Sequence, residues 1–168
     1  MATNTLIQYL QTERFSAFPG GASEGVPLEA SSRRQVEVYL AGEALNAGDA
    51  VSLDFVTGGL TDGQRAIQVV QSSTAGTRTA FVGIVDGPAN VESDDGSGGV
   101  IVGGAARVVV RGLVEANVLA HAQGDTIGAS GTAGSLDTIG AAGLPCAVGV
   151  DGAGAPGVAT VYVLHGMA

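Results

Sequence analysis

The sequence predicts an all-β protein, a small β-barrel or sandwich body built from two related β units and preceded by an extended amino-terminal arm. Three observations predict it. The first is internal repetition. The stretches Glu43 to Leu53 and Glu115 to Ile127 both begin Glu-Ala and both reach a Gly-Asp turn, Gly48-Asp49 and Gly124-Asp125, that launches a β-like run. Further on, Phe81-Val82-Gly83-Ile84-Val85-Asp86-Gly87-Pro88 is answered by Ala147-Val148-Gly149-Val150-Asp151-Gly152, with Pro156 slightly late. The second is composition: 28 Gly in 168 residues, no Trp, only three Tyr and four Phe. So many glycines argue against a helical bundle, since each costs roughly 1 kcal/mol in a helix interior. The third is spacing: roughly eight to ten short apolar runs separated by Gly- or Ser/Thr-rich turns, the pattern of a sandwich or barrel.

Residues 1–34 differ from the rest and form the expected arm. Leu6, Ile7 and Leu10 behind Asn4 or Thr5 fit one or two helical turns. Phe15 to Gly21 then breaks any helix, and Ala22 to Ser32 has no periodicity. The arm reads either as a frayed terminus or as a docking segment. Leu6, Ile7, Tyr9, Leu10, Phe15 and Phe18 favour docking, because a solvated tail has no use for three of the chain's seven aromatic side chains.

The body, residues 35–168, opens with the period-2 strand Gln35 to Leu40, which sets Val36, Val38 and Leu40 on one face. Strands follow over Ala50 to Val56, Ala66 to Gln71 and Ala80 to Val85, and a polar loop spans residues 91–105. The second unit offers Arg107 to Val114, short strands near Thr126 and from Leu136 to Ile139, then Cys146 to Val150 and Val158 to Leu164. The pseudo-repeat therefore covers 35–90 and 106–164. In Arg107 to Val114, Arg107, Val109 and Arg111 share one face, which suits either acidic neighbours or plain solvent.

The net charge is −9, there is no lysine, and nothing basic follows Arg111 except His121 and His165. Phosphate backbones are bound by clustered cations, so the composition argues against direct nucleic-acid binding, and equally against attachment to anionic membranes. Cys146 is the only cysteine, so an internal disulfide is excluded. The first residues lack the cationic and apolar regions of a secretory signal, and no apolar run approaches the ~20 residues of a membrane helix. Synthesis in a cytoplasm is the expectation.

Nucleophilic catalysis requires a nucleophile, a base and an orienting group in reach of one another. The candidates Cys146, His121 and His165 carry no motif of that kind, and Cys146 reads as a buried small hydrophobe. Two histidines 44 positions apart do not make a zinc spacing. The run Asp94-Asp95-Gly96-Ser97-Gly98 lacks the alternating acids of a calcium loop. The glycine pairs at 98–99 and 103–104 match no nucleotide fingerprint. The sequence thus predicts no enzyme, no catalytic residue, no metal and no cofactor.

Three stretches in order carry a resemblance: Ala41 to Leu53, Phe81 to Val85, and Val108 to Glu115. Together they resemble the small capsid decoration, or cement, proteins of tailed bacteriophages, over residues 35–164. The resemblance implies a β-barrel-like body, often a homotrimer, on the outer surface of the expanded head. It implies that the arm bridges neighbouring major capsid subunits, with Leu6, Ile7, Tyr9, Leu10, Phe15 and Phe18 as capsid-binding residues. Arg33, Arg34, Arg107 and Arg111 are the candidates for inter-subunit or capsid salt links. The protein would be made in the host cytoplasm and reside in the virion. The alternative is a receptor- or carbohydrate-binding β module on the virion surface or fibre, which predicts exposed aromatic residues among Tyr39, Phe55, Phe81 and Tyr162.

Overall fold

The computed structural model describes residues 34–55, 57–74, 80–139 and 145–164. The arm residues 1–33, with the capsid-binding candidates and Arg33, lie outside them, as does His165. Among the described residues run nine strands: β1 Gln35–Ala41, β2 Ala50–Leu53, β3 Gln68–Gln71, β4 Phe81–Pro88, β5 Ala105–Val118, β6 Thr126–Ala129, β7 Leu136–Thr138, β8 Ala147–Gly149 and β9 Gly157–Val163. The all-β class expected from repetition and glycine content is what the chain adopts.

Strand pairing explains the repetition. β1 pairs in parallel with β3 and antiparallel with β5; β2 joins β3 to β4, and β4 returns to β5. Five strands thereby close on themselves. The second half repeats the scheme: β5 pairs in parallel with β7 and antiparallel with β9, β6 joins β7 to β8, and β8 returns to β9. The 14-residue β5 serves both rings. Residues 105–111 are the last strand of the first ring, and residues 112–118 are the first strand of the second. Closing each sheet on itself removes most of the free edges that would otherwise template aggregation.

One consequence concerns the grouping of residues. The stretch 106–111, which the sequence groups with the second unit, pairs with β1 and β4 of the first. The loop after β4 therefore lies within the first ring. Gly112 marks the change of partners, with φ +108° in mid-strand. A side chain is strained at that dihedral and glycine is not.

Two apolar clusters follow from the two rings. Ala41, Leu45, Val51, Val69, Val82, Val85, Val108 and Val110 fill the first. Val114, Ala116, Val118, Ile127, Leu136, Ala147, Val161 and Val163 fill the second, joined by Ala50, Phe81, Ile84 and Val109 from the outer wall of the first ring. Each fully buried Val or Ile contributes about 1.5–3 kcal/mol. With side chains this small, stability comes from many modest burials rather than a few aromatic ones.

Two local features were not anticipated. A single-turn helix, α1 Asp62–Arg65, sits in what the sequence reads as a turn. Its capping box is complete: Gln64 N–H donates to Thr61 Oγ1, and Thr61 N–H donates to Gln64 Oε1 at 2.9 Å. The second is the facing of β1. Val36, Val38 and Leu40 do share a face, but it is the outer one, and they are 39, 61 and 38% exposed. Ala41 points into the ring and Tyr39 packs partly against its core.

Candidate functional site

The repeated Gly-Asp turns are built alike, bond for bond. Gly48 and Gly124 take φ of +90° and +84°. In the first turn Asn46 N–H donates to Asp49 Oδ2 at 2.8 Å; in the second Ala122 N–H donates to Asp125 Oδ2 at 2.8 Å. Gly48 N–H reaches Val85 O and Gly124 N–H reaches Gly149 O, both at 2.8 Å. Asp49 O and Asp125 O accept from Val85 and Gly149 in return. The positive φ turns the chain, the carboxylate satisfies the amide three residues back, and the turn is tied to the Val-Gly strand of its own ring. These bonds match Val85 to Gly149, so the Val-Gly likeness of the sequence, Gly83 with Gly149, is two positions out of the structural register.

The first turn has a further task. Asp49 is only 4% exposed, and its carboxylate also accepts from Gln71 Nε2 and Asn117 Nδ2, each at 2.9 Å. Asn117 lies on the second-ring half of β5, and its N–H donates to Gly48 O at 2.8 Å. Ala50 N–H donates to Gly134 O at 2.8 Å, in the turn between β6 and β7. Asp49 is therefore the polar joint of the two rings, a residue the repeat pattern singles out without revealing its second role.

His121 occupies in the second ring the place Leu45 holds in the first. Each forms an isolated antiparallel bridge, Leu45 with Val100 and His121 with Ala153. The imidazole is buried, with Nδ1 3.1 Å from Leu119 O and Nε2 2.8 Å from Asp151 O. Both ring nitrogens are thus engaged by backbone carbonyls. Cys146 is buried, and burial pushes its thiol above the ordinary range, opposed in lesser degree by a hydrogen bond from the Ala129 backbone. A thiolate is disfavoured in such surroundings.

Among the described residues no group of three His, Cys, Asp or Glu side chains is arranged to hold a metal. The acidic run at 94–99 turns its oxygens on its own backbone. Asp95 Oδ1 accepts from Ser97 N, Ser97 Oγ and Gly99 N at 2.8, 2.9 and 3.0 Å, and Asp94 Oδ1 accepts from Gly96 N and Gly98 N at 2.8 and 3.1 Å. Chiefly the bonds from Ser97 lower the pKa of Asp95 below its ordinary value.

Of the basic candidates, Arg34 and Arg107 converge on Asp86. Arg34 Nη1 lies 2.9 Å from Asp86 Oδ1, and Arg107 Nη2 3.4 Å from Asp86 Oδ2. Arg111 is exposed and forms no ion pair among the described residues. Of the body's aromatic residues, Phe81 is buried, Tyr39 and Tyr162 are half-buried, and Phe55 is exposed.

No protein-family model matches the chain, and no curated protein matches it. Among solved structures it is similar to the N base of the head fiber gp8.5 of bacteriophage phi29. That likeness has a TM-score of 0.48 and 10% sequence identity, and covers 81% of this chain and 98% of that one.

Proposed function

We propose that this chain is a structural protein of the tailed-phage virion, seated on the outer surface of the expanded head, where it cements neighbouring major capsid subunits against internal DNA pressure. The observation that carries the reading is that the three stretches of the resemblance meet in the first ring, the third leaving it at Gly112. The Gly-Asp turn at 48–49, the Val-Gly strand β4 and the Val-rich first half of β5 carry the sequence resemblance. They are hydrogen-bonded neighbours through Gly48 to Val85 and through the β4–β5 ladder. Ordered motifs that form one physical unit are harder to imitate by chance than scattered turns.

Residues 1–34 are assigned the capsid contact, with Leu6, Ile7, Tyr9, Leu10, Phe15 and Phe18 as its apolar anchors. A ligand that binds only the expanded lattice stabilises that lattice by linkage, and many identical copies act together. The chain acts as a homotrimer, since a ring of small side chains gains by burying outer wall against copies of itself.

Pelleting the purified protein with expanded heads and with precursor shells of its own phage tests the reading. Co-sedimentation with expanded heads alone, together with DNA retention to higher temperature, is the expected result. Equal binding to both particles, or to neither, overturns it.

A further inference from the structure

The outer wall of the first ring is apolar over two adjoining stretches. Ala50, Phe81, Ile84 and Val109 are covered by the second ring. Val36, Val38 and Leu40 of β1 remain partly exposed, Val38 the most at 61%. The stretches are continuous, because Val36 pairs with Val109 across β1 and β5. A slip of one residue in β1 would turn all three side chains into the ring. The observed register instead keeps them outside, as a strip suited to another apolar surface.

Charge narrows the partner. Of the four arginines among the described residues, three border this strip. Arg34 precedes β1, Arg107 pairs with Val38, and Arg111 pairs with Gln35. Asp86 offsets only part of their charge. In a chain of net charge −9, a second copy supplies acidic surface in abundance. One element of it also supplies an apolar tip. Val91 is 90% exposed, in a 3-10 turn, Val91–Ser93, followed by Asp94 and Asp95 and containing Glu92. That turn is held ready: Ser93 N and Oγ donate to Asn90 Oδ1, and Ser93 Oγ accepts from Ala105 N at 2.8 Å. Little ordering is left to be done on docking.

We propose that the Val91 turn of one copy seats on the Val36–Leu40 strip of the next. This head-to-tail contact closes into a ring of copies. The assignment rests on the homo-oligomer proposed above and names its two surfaces.

Sedimentation of the full chain tests it. Val38→Glu and Val91→Glu should each lower the assembled mass about threefold, to that of one chain, with the far-UV spectrum unchanged. Val38→Glu retains a good turn and Val91→Glu a good strip, so mixing them should give a two-chain species and nothing larger. Should Val38→Glu fail to fold, Val38→Thr keeps the branched shape and should assemble more weakly than wild type. A Val38→Glu protein of wild-type mass overturns the contact, including the case in which it loses only head binding. So does a mixture that stays monomeric. A wild-type chain that is monomeric at every concentration overturns the oligomer itself, a distinct result.

Discussion

The two rings share a topology but differ in how wet their interiors are. The pairing of Ala41 with Val69 in one and of Val118 with Leu136 in the other aligns β1 with the second half of β5. Glu37 and Tyr39 then correspond to Val114 and Ala116. In the first ring that end is polar and half-exposed, and Tyr39 donates to Glu37 Oε2 at 2.8 Å. In the second it is apolar and buried within the cluster that includes the first ring's outer wall. One scaffold thus serves as an end unit with an open mouth and as an inner unit sealed against its neighbour, the division of labour expected of stacked repeats.

The largest expected effect tests the joint between them. Asp49→Ala removes a buried carboxylate that accepts from Asn46, Gln71 and Asn117 through part-buried bonds. A hydrogen bond to a charged group contributes about 1.5–3 kcal/mol, so loss of this acceptor is expected to cost about 3 kcal/mol or more in denaturant titration. Asp125→Ala removes the matching turn bond only and should cost about 1 kcal/mol. Equal losses would mean that Asp49 does nothing its counterpart does not.

Next comes the exchange of Leu45 for His121. A Cβ on Gly149 would lie 2.5 Å from His121 Cδ2 and 2.6 Å from Nε2, so the imidazole fills the space a side chain at 149 would need. The corresponding first-ring residue, Val85, shares a core cluster with Leu45. Gly149→Val alone should cost about 1–3 kcal/mol through overpacking. Combined with His121→Leu it should recover most of that loss, since neighbours that share space couple strongly. Additive losses in the double-mutant cycle would break the correspondence of the two rings at this position.

The wet mouth of the first ring makes a pH prediction. Burial, then the hydrogen bond to Glu37 and its charge, push the Tyr39 phenol from 10.0 up to about 12. A folded value above the unfolded one means that the stabilisation is complete below about pH 10. It is lost as pH rises through 12. Tyr39→Phe should flatten stability across that window. An absorbance titration of wild type should show one phenol ionising late, and Glu37→Gln should bring it earlier without restoring the ordinary value, because burial is the larger cause. A titration that Tyr39→Phe leaves unaltered would refute the assignment.

Much of this was legible in the sequence. Nine runs expected as strands are strands, and both Gly-Asp turns were marked by the residue that tolerates positive φ beside the one that caps it. The sharing of β5 was not legible, because alternation along Ala105–Val118 continues whichever ring the strand is lining. Only Gly112 interrupts it, and a glycine in a strand has several readings. The outward facing of Val36, Val38 and Leu40 was hidden for a related reason: periodicity says which residues share a face, not which face is covered. His121 escaped as the partner of Leu45 because its compensation lies 28 residues away, in the missing side chain of Gly149. The helix α1 carried a readable signal in Thr61 and Gln64, the spacing of a capping box.

The smallest effect concerns Ser52, which aligns with Gly128 one position past the paired Val51 and Ile127. Ser52 is fully buried on β2, between Val70 of β3 and Phe81 of β4. Its Oγ has no hydrogen-bond partner among the described residues. An unsatisfied buried hydroxyl costs free energy, whereas a methyl group in the same place gives up almost no volume. Ser52→Ala should therefore be neutral or stabilising by up to about 1 kcal/mol. Ser52→Gly, which copies the second ring, should lose part of that gain to backbone entropy, since Gly in a strand costs about 0.5–1 kcal/mol relative to Ala. The alanine variant is expected to have the highest melting temperature of the three, with glycine below it. A clear loss on Ser52→Ala would show that the hydroxyl has a bonding partner and that the first ring needs a polar group where the second has none.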